Sequence, residues 1–167
     1  MNALAACGFT YDVNTRLKLD DSLLSRITAK NRVPGEGLND IATAYLKGGA
    51  GPANLYIGLW SGAHVPTGNE TAATLLSLVT EATDYTQANR LLLDLGAVAS
   101  GACSNAASLA RFDMTAAGTV NGAFLSTTQT KGASTGKLLS VVRFANPRTV
   151  DESVYLEVLS GFQFISL

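Results

Sequence analysis

The stretch from Asn54 to Trp60 reads Asn-Leu-Tyr-Ile-Gly-Leu-Trp. Leu55, Ile57 and Leu59 alternate with three residues that are also uncharged. In an extended strand, alternate side chains point to opposite faces. Because both faces of this segment are largely apolar, the segment predicts a β-strand that is buried on its two sides.

Five later segments have the same apolar, strand-favouring character. They are residues 91–95, 109–114, 120–126, 138–144 and 154–159, and residues 162–167 continue the last one after Gly161. The residues that separate them favour turns: Gly101, Ala117-Gly118, Gly132 to Gly136 and Asn146-Pro147. Short strands at these spacings, without alternating helices, are typical of antiparallel sandwiches. We therefore predict a mainly β protein whose body is an antiparallel β-sandwich or jelly roll.

The first 50 residues follow a different pattern. Residues 1–19 show no clear period and predict an extended N-terminal arm. Asp20 is a candidate N-cap for a short helix that would run to Lys30. A stronger helix signal comes from Leu38, Ile41, Ala42 and Tyr45, which fall at i, i+3, i+4 and i+7 and form one apolar stripe.

Glycines and a composition change mark the end of this region. Gly48-Gly49 is a helix stop, because glycine adopts the left-handed conformation of a helix C-terminus without steric cost. We place the arm and helices in residues 1–50 and the β-sandwich body in residues 51–167. Within the body, residues 72–79 favour a helical turn or irregular structure.

Composition limits the function. Of the 167 residues 15% are charged and the net charge is −1, which excludes a nucleic-acid binder that works through a strong basic field. No segment approaches the roughly 18 to 20 apolar residues that span a bilayer, and the N-terminal region lacks the pattern of a secretory signal. We expect no membrane association, no metal and no cofactor, and synthesis in the host cytoplasm.

Candidate catalytic residues are few. His64 is the only histidine, in a predicted loop with Ser61 and Glu70 nearby in sequence, and this spacing specifies no catalytic arrangement. Residues 131–137 resemble a phosphate-binding loop, but a predicted strand follows them where such a loop needs a helix, which favours a hairpin. We expect that the protein is not an enzyme. The alternative is a glycan hydrolase that uses His64, Asp113 and Glu157.

Residues 36–150 resemble a group of small virion proteins of tailed bacteriophages. The segments that carry the likeness are Gly37 to Ile41, Leu55 to Trp60, Val65 to Thr74 (Val-Pro-Thr-Gly-Asn-Glu-Thr-Ala-Ala-Thr), Thr80 to Tyr85, Gly118 to Leu125, Thr130 to Gly132 and Leu138 to Val150 (Leu-Leu-Ser-Val-Val-Arg-Phe-Ala-Asn-Pro-Arg-Thr-Val). The resemblance implies a β-sandwich or jelly roll in a head decoration (cement) protein on the capsid surface. It implies no catalytic residues.

The expected partners follow from that resemblance. A cement protein binds the major capsid protein and stabilises the shell, and we expect a homodimer or homotrimer. The alternative is a tail, baseplate or fibre-associated virion protein, which in a glycan-binding version would use exposed aromatic side chains. Five aromatic residues are candidate interface anchors, with core packing as the other interpretation of the tryptophan: Phe9, Tyr11, Tyr56, Trp60 and Tyr85.

Overall fold

Two five-stranded antiparallel sheets face each other. The computed structural model describes the backbone of residues 6–165 and the side chains of residues 8–164. The predicted mainly β class and the antiparallel β-sandwich are confirmed. The jelly-roll form of that prediction is not confirmed.

The first sheet combines both ends of the described chain, and its path is β2-β1-β10-β6, with β7 also paired to β10. Its strands are β1 (Ala6–Leu17), β2 (Leu23–Lys30), β6 (Ala102–Ser104), β7 (Ala110–Asp113) and β10 (Val154–Ile165). In β10 the two predicted strand segments form one continuous strand through Gly161.

The second sheet is made from the middle of the chain, and its path is β4-β3-β8-β9, with β5 also paired to β3. Its strands are β3 (Tyr56–Ser61), β4 (Thr80–Ala82), β5 (Leu91–Leu92), β8 (Gly118–Ser126) and β9 (Leu138–Val150). Two helices complete the described structure: α1 (Gly35–Leu46) and α2 (Ala72–Leu78). Residues 91–95 thus form a shorter strand than predicted, and β4 and β6 were not predicted.

Strand β3 is buried on both faces, as its sequence predicts. Ile57 and Leu59 belong to the cluster between the two sheets. Trp60 belongs to a second cluster on the outer face of the second sheet, where α2 covers it with Leu75. The capping box of α2, in which Thr71 and Thr74 bond each other's backbone N–H groups, explains why this short segment becomes a helix.

The N-terminal region differs from the prediction. Residues 6–17 are not an arm but β1, an interior strand bonded to β10 on one side and β2 on the other. Its alternate side chains Phe9, Tyr11 and Val13 are buried in the core, so their burial stabilises the strand. Residues 1–5 of the predicted arm lie outside the described residues. The division of the chain at residue 50 stays a prediction.

The predicted helix from Asp20 to Lys30 is wrong, because residues 23–30 form β2. Asp20 does accept a hydrogen bond from a backbone N–H, that of Ser22, but within the turn between β1 and β2. Ile27 and Ala29 pack against the core with a period of two, not with a helical period. Pairing with β1 therefore outweighs the local helix signal.

Backbone pairs close the sandwich on both sides. Arg32 and Val141 exchange two N–H···O bonds of 3.0 and 3.2 Å, which join the end of β2 to β9. On the other side Tyr85 bridges to Met114, next to the backbone bonds Thr86 N–H to Asp113 O and Thr115 N–H to Asp84 O. The two sheets are therefore connected by hydrogen bonds as well as by their shared core.

The substitution Gly122→Ala tests the contact between β8 and Trp60. A Cβ at Gly122 would overlap the carbonyl oxygen of Val142 and the indole of Trp60. The first is a backbone atom of the neighbouring strand β9, and the second belongs to a fully buried side chain. We expect the free energy of unfolding to fall by about 2 kcal/mol or more, measured by urea denaturation. Gly118→Ala in the same strand is the control, because its Cβ would meet no atom within 4 Å. Equal stability of the two variants would contradict this packing.

Candidate interaction surface

Helix α1 is held to the body at its first turn. Gly37 lies directly on β9, where a Cβ would come within 2.9 Å of Leu139 Cα and 3.0 Å of Leu138 O. One carboxylate oxygen of Glu36 accepts two backbone N–H bonds of 2.8 Å, from Ala72 and Leu138. The glycine allows the close approach, and the carboxylate connects α1, α2 and β9.

The predicted apolar stripe of α1 does not pack into the core. Of the stripe residues, Tyr45 is 87% exposed and Leu38 45%, and Leu46, which follows the stripe, is 76% exposed. The only residue of α1 that is fully buried is Gly37. At 100° per residue, the carboxylates Glu36 and Asp40 lie on the opposite side of the helix from the stripe. The stripe is therefore an exposed helix face that is apolar and uncharged.

This face lines a groove of about 860 Å³ between α1 and the body. Leu139 of β9 and Phe164 of β10 contribute the body side, and Phe164 is 54% exposed. The lining comprises Leu38, Asp40, Ile41, Ala42, Ala44, Tyr45, Leu46, Gly49, Gly51, Pro52, Leu139 and Phe164. Exposed apolar surfaces of this kind are sites of protein contact or ligand binding.

The predicted interface residues lie elsewhere. Phe9, Tyr11, Trp60 and Tyr85 are buried in the two core clusters, which corrects their assignment as anchors, because a buried side chain offers no surface to a partner. For Trp60 the core-packing interpretation is confirmed. Tyr56 is half-buried.

Tyr56 lines a smaller and more polar cleft of about 370 Å³. Asp40, Asn54, Thr127 and Lys137 also line this cleft. An aromatic ring beside hydrogen-bonding groups of these types is suited to a polar ligand such as a sugar. Tyr56 therefore lies at a cleft that opens to solvent.

His64 and Glu70 meet, as their proximity in sequence suggested. His64 Nε2 lies 2.8 Å from Glu70 Oε1, and the same carboxylate accepts N–H bonds from Thr67 and Gly68. Burial raises the pKa of Glu70, but these hydrogen bonds outweigh it and lower the pKa to about 2. The hydroxyl of Ser61 donates to Thr80 O. Glu70 thus organises its own loop.

The two acidic residues named with His64 in the enzyme hypothesis are in separate ion pairs. Asp113 pairs with Arg111 and Glu157 pairs with Arg16, both in the first sheet, whereas His64 follows β3 of the second sheet. The structure does not bring the three residues named for that hypothesis into one contact.

The segment that resembles a phosphate-binding loop is a hairpin loop between β8 and β9, as the sequence favours. Buried Arg90 holds it through bonds to Thr128 O and Ala133 O and a two-bond ion pair with Glu81. Gly132 N–H donates to the same carboxylate. This network stabilises the loop by satisfying its backbone groups.

In the described part of the chain, no three metal-ligating side chains of the types His, Cys, Asp or Glu converge. No helix between residues 6 and 165 has the length and apolar character needed to cross a bilayer. No protein-family model matches the sequence, and no curated protein is similar enough to count as a relative.

Gly37→Ala tests the contact between the first turn of α1 and β9. Alanine favours a helix over glycine by about 1 kcal/mol, but here its Cβ would press on the backbone of β9. We therefore expect a lower unfolding midpoint and faster amide exchange in α1. Gly35→Ala is the matched control, because its Cβ would meet only Gly68 O at 3.8 Å. A gain in stability in both variants would contradict the close approach of Gly37 to β9.

Glu70→Gln tests the acid stability of its loop. The folded-state pKa of about 2 lies below the ordinary value of 4.5, so ionised Glu70 stabilises the fold above about pH 4.5, and this contribution is lost as the pH falls towards 2. Above pH 5 we expect the free energy of unfolding of the variant to be lower than that of the wild type by up to about 3 kcal/mol. This difference should shrink as the pH falls from about 4.5 towards 2. The measurement is urea denaturation at a series of pH values. Glu152→Gln, at an exposed position, is the control, and its free energy of unfolding should stay close to that of the wild type throughout the series.

Proposed function

We propose that this protein is a structural subunit of a tailed-phage particle, specifically a head decoration (cement) protein that binds the major capsid protein and stabilises the shell. The observation that carries the proposal is the apolar groove beside α1, a surface suited to protein contact on a body that is hydrogen-bonded across both sheets. The resemblance of residues 36–150 to small phage virion proteins supports the same role.

The bonding within the body agrees with this role. A cement protein must resist deformation while it bridges neighbouring shell subunits. The backbone pairs on both sides and the buried Arg90–Glu81 pair oppose separation of the sheets and movement of the long hairpin loop. A net charge of −1 permits close packing of many copies with little mutual repulsion. We place the protein on the capsid surface, acting by binding and not by catalysis.

A second candidate function is a tail, baseplate or fibre-associated protein that binds glycans. The cleft lined by Tyr56, Asp40, Asn54 and Lys137 favours it, because it combines an aromatic ring with hydrogen-bonding side chains. The larger surface is the apolar groove, and we therefore rank the decoration role first.

Binding to purified particles separates the two functions. We expect the protein to co-sediment with expanded heads that were assembled without it, and to raise the temperature at which those heads break open. Isolated tails from the same phage are the control target. In virions, the copy number measured by quantitative mass spectrometry should be in ratio with the major capsid protein.

Binding to tails but not to heads, with only a few copies in each virion, would reject the decoration role in favour of the second function. Binding to neither, together with absence of the protein from virions, would reject both.

A further inference from the structure

We propose that the groove beside α1 is occupied by a second copy of this chain, and that the two copies pack α1 against α1 in antiparallel orientation about a two-fold axis. The inference rests on the proposed function, because it takes the groove as a contact between subunits of the particle. It names a second copy of this chain, and not the major capsid protein, as the occupant of the groove. The dimer would then be the unit that attaches to the shell.

The order of side chains along α1 suits a two-fold contact. In an antiparallel pair centred between Ile41 and Ala42, Leu38 lies opposite Tyr45 of the second copy and Ile41 lies opposite Ala42 of the second copy. Every position of the stripe therefore meets an apolar partner. An isologous interface requires this self-complementarity, because one surface patch must fit itself.

The distribution of charge permits the same contact. Like charges that face each other across a two-fold axis repel, so a self-associating face must be free of them. Of the two carboxylates of α1, Glu36 is already bonded to backbone N–H groups of the body. Asp40 lines the groove, but it lies on the opposite side of the helix from the stripe where the two helices would meet. The antiparallel arrangement also sets each helix N-terminus beside the C-terminus of the other helix, which is favourable for their dipoles.

The available area approaches that of a small specific interface. From their exposed fractions, Leu38, Tyr45, Leu46 and Phe164 present roughly 500 Å² of surface per copy. If the dimer covered all of this surface, the two copies together would bury about 1,000 Å², and the remaining groove lining would bring the total towards the approximately 1,200 Å² at which specific interfaces begin. Tyr45, the most exposed of the four, is the side chain best placed to enter the groove of the other copy.

Sedimentation equilibrium of the purified protein tests the dimer in the absence of any phage particle. We expect a dimer whose dissociation constant rises at least about tenfold in Leu38→Asp and in Tyr45→Lys. Leu19→Asp is the matched control, since Leu19 is equally apolar and 92% exposed but lies in the turn between β1 and β2. This control should remain dimeric. At concentrations at which the wild type is monomeric, all three variants should have the same unfolding midpoint as the wild type.

Mixing the two variants tests the orientation. In the antiparallel pair, the aspartate introduced by Leu38→Asp in one chain would face the lysine introduced by Tyr45→Lys in the other. On the second side of the axis, the unchanged Tyr45 and Leu38 of the same two chains would meet as in the wild type. An equimolar mixture of the two variants should therefore regain the dimer as a heterodimer. A parallel pair would bring position 38 against position 38 and would give no such rescue.

Four results would overturn the proposal. Two concern the chain without substitutions: a monomer throughout the concentration range, or a dimer that forms only after deletion of residues 1–5, which would mean that this segment of the same chain competes for the groove. The other two are a dimer insensitive to Tyr45→Lys and single variants that mixing does not rescue. A monomer that binds heads would overturn this inference alone. A dimer that binds no head would leave it standing and reject the decoration role.

Discussion

The hydroxyl of Ser140 is a buried point at which side chains join the two sheets. It accepts hydrogen bonds of 2.7 Å from the Tyr11 phenol of the first sheet and 2.8 Å from Asn31 Nδ2. Asn31 in turn accepts a bond from Phe9 N–H. Burial raises the pKa of Tyr11, and its bond to Ser140 offsets only part of that rise, so the phenol remains a neutral donor. A buried network of this kind tolerates little displacement, because each group left without a partner is costly.

The position of α1 follows from that junction. The chain leaves β2 at Asn31, pairs with β9 through Arg32, and enters the helix after Pro34, whose fixed backbone angle suits a helix start. Gly37 then rests on the β9 backbone one residue before Ser140. The first turn is thus determined by contacts with the body, whereas the later turns extend beyond it with their apolar side chains exposed.

The two helices show how similar patterns lead to different roles. Leu75 of α2 covers Trp60 and Phe124 and completes the core on the outer face of the second sheet. The stripe of α1 has no such surface opposite it and lines a groove instead. By contrast, the buried charged groups stabilise loops of the body. Glu70 bonds the backbone of one loop, and the Arg90–Glu81 pair holds another. The surface proposed for binding is therefore the apolar one, and the buried polar groups are structural.

The sequence by itself determined the β class, the strand at residues 54–60 and the helix with its Leu38–Tyr45 stripe, because these depend on local periodicity and turn chemistry. The tertiary structure alone decided that residues 6–17 and 23–30 are strands. Pairing of β1 with β10, and of β2 with β1, supplies hydrogen bonds that no local pattern reports. It also decided which aromatic residues are exposed. Trp60 and Tyr11 are buried while Tyr45 and Phe164 are open, because exposure depends on what lies opposite a side chain and not on its type.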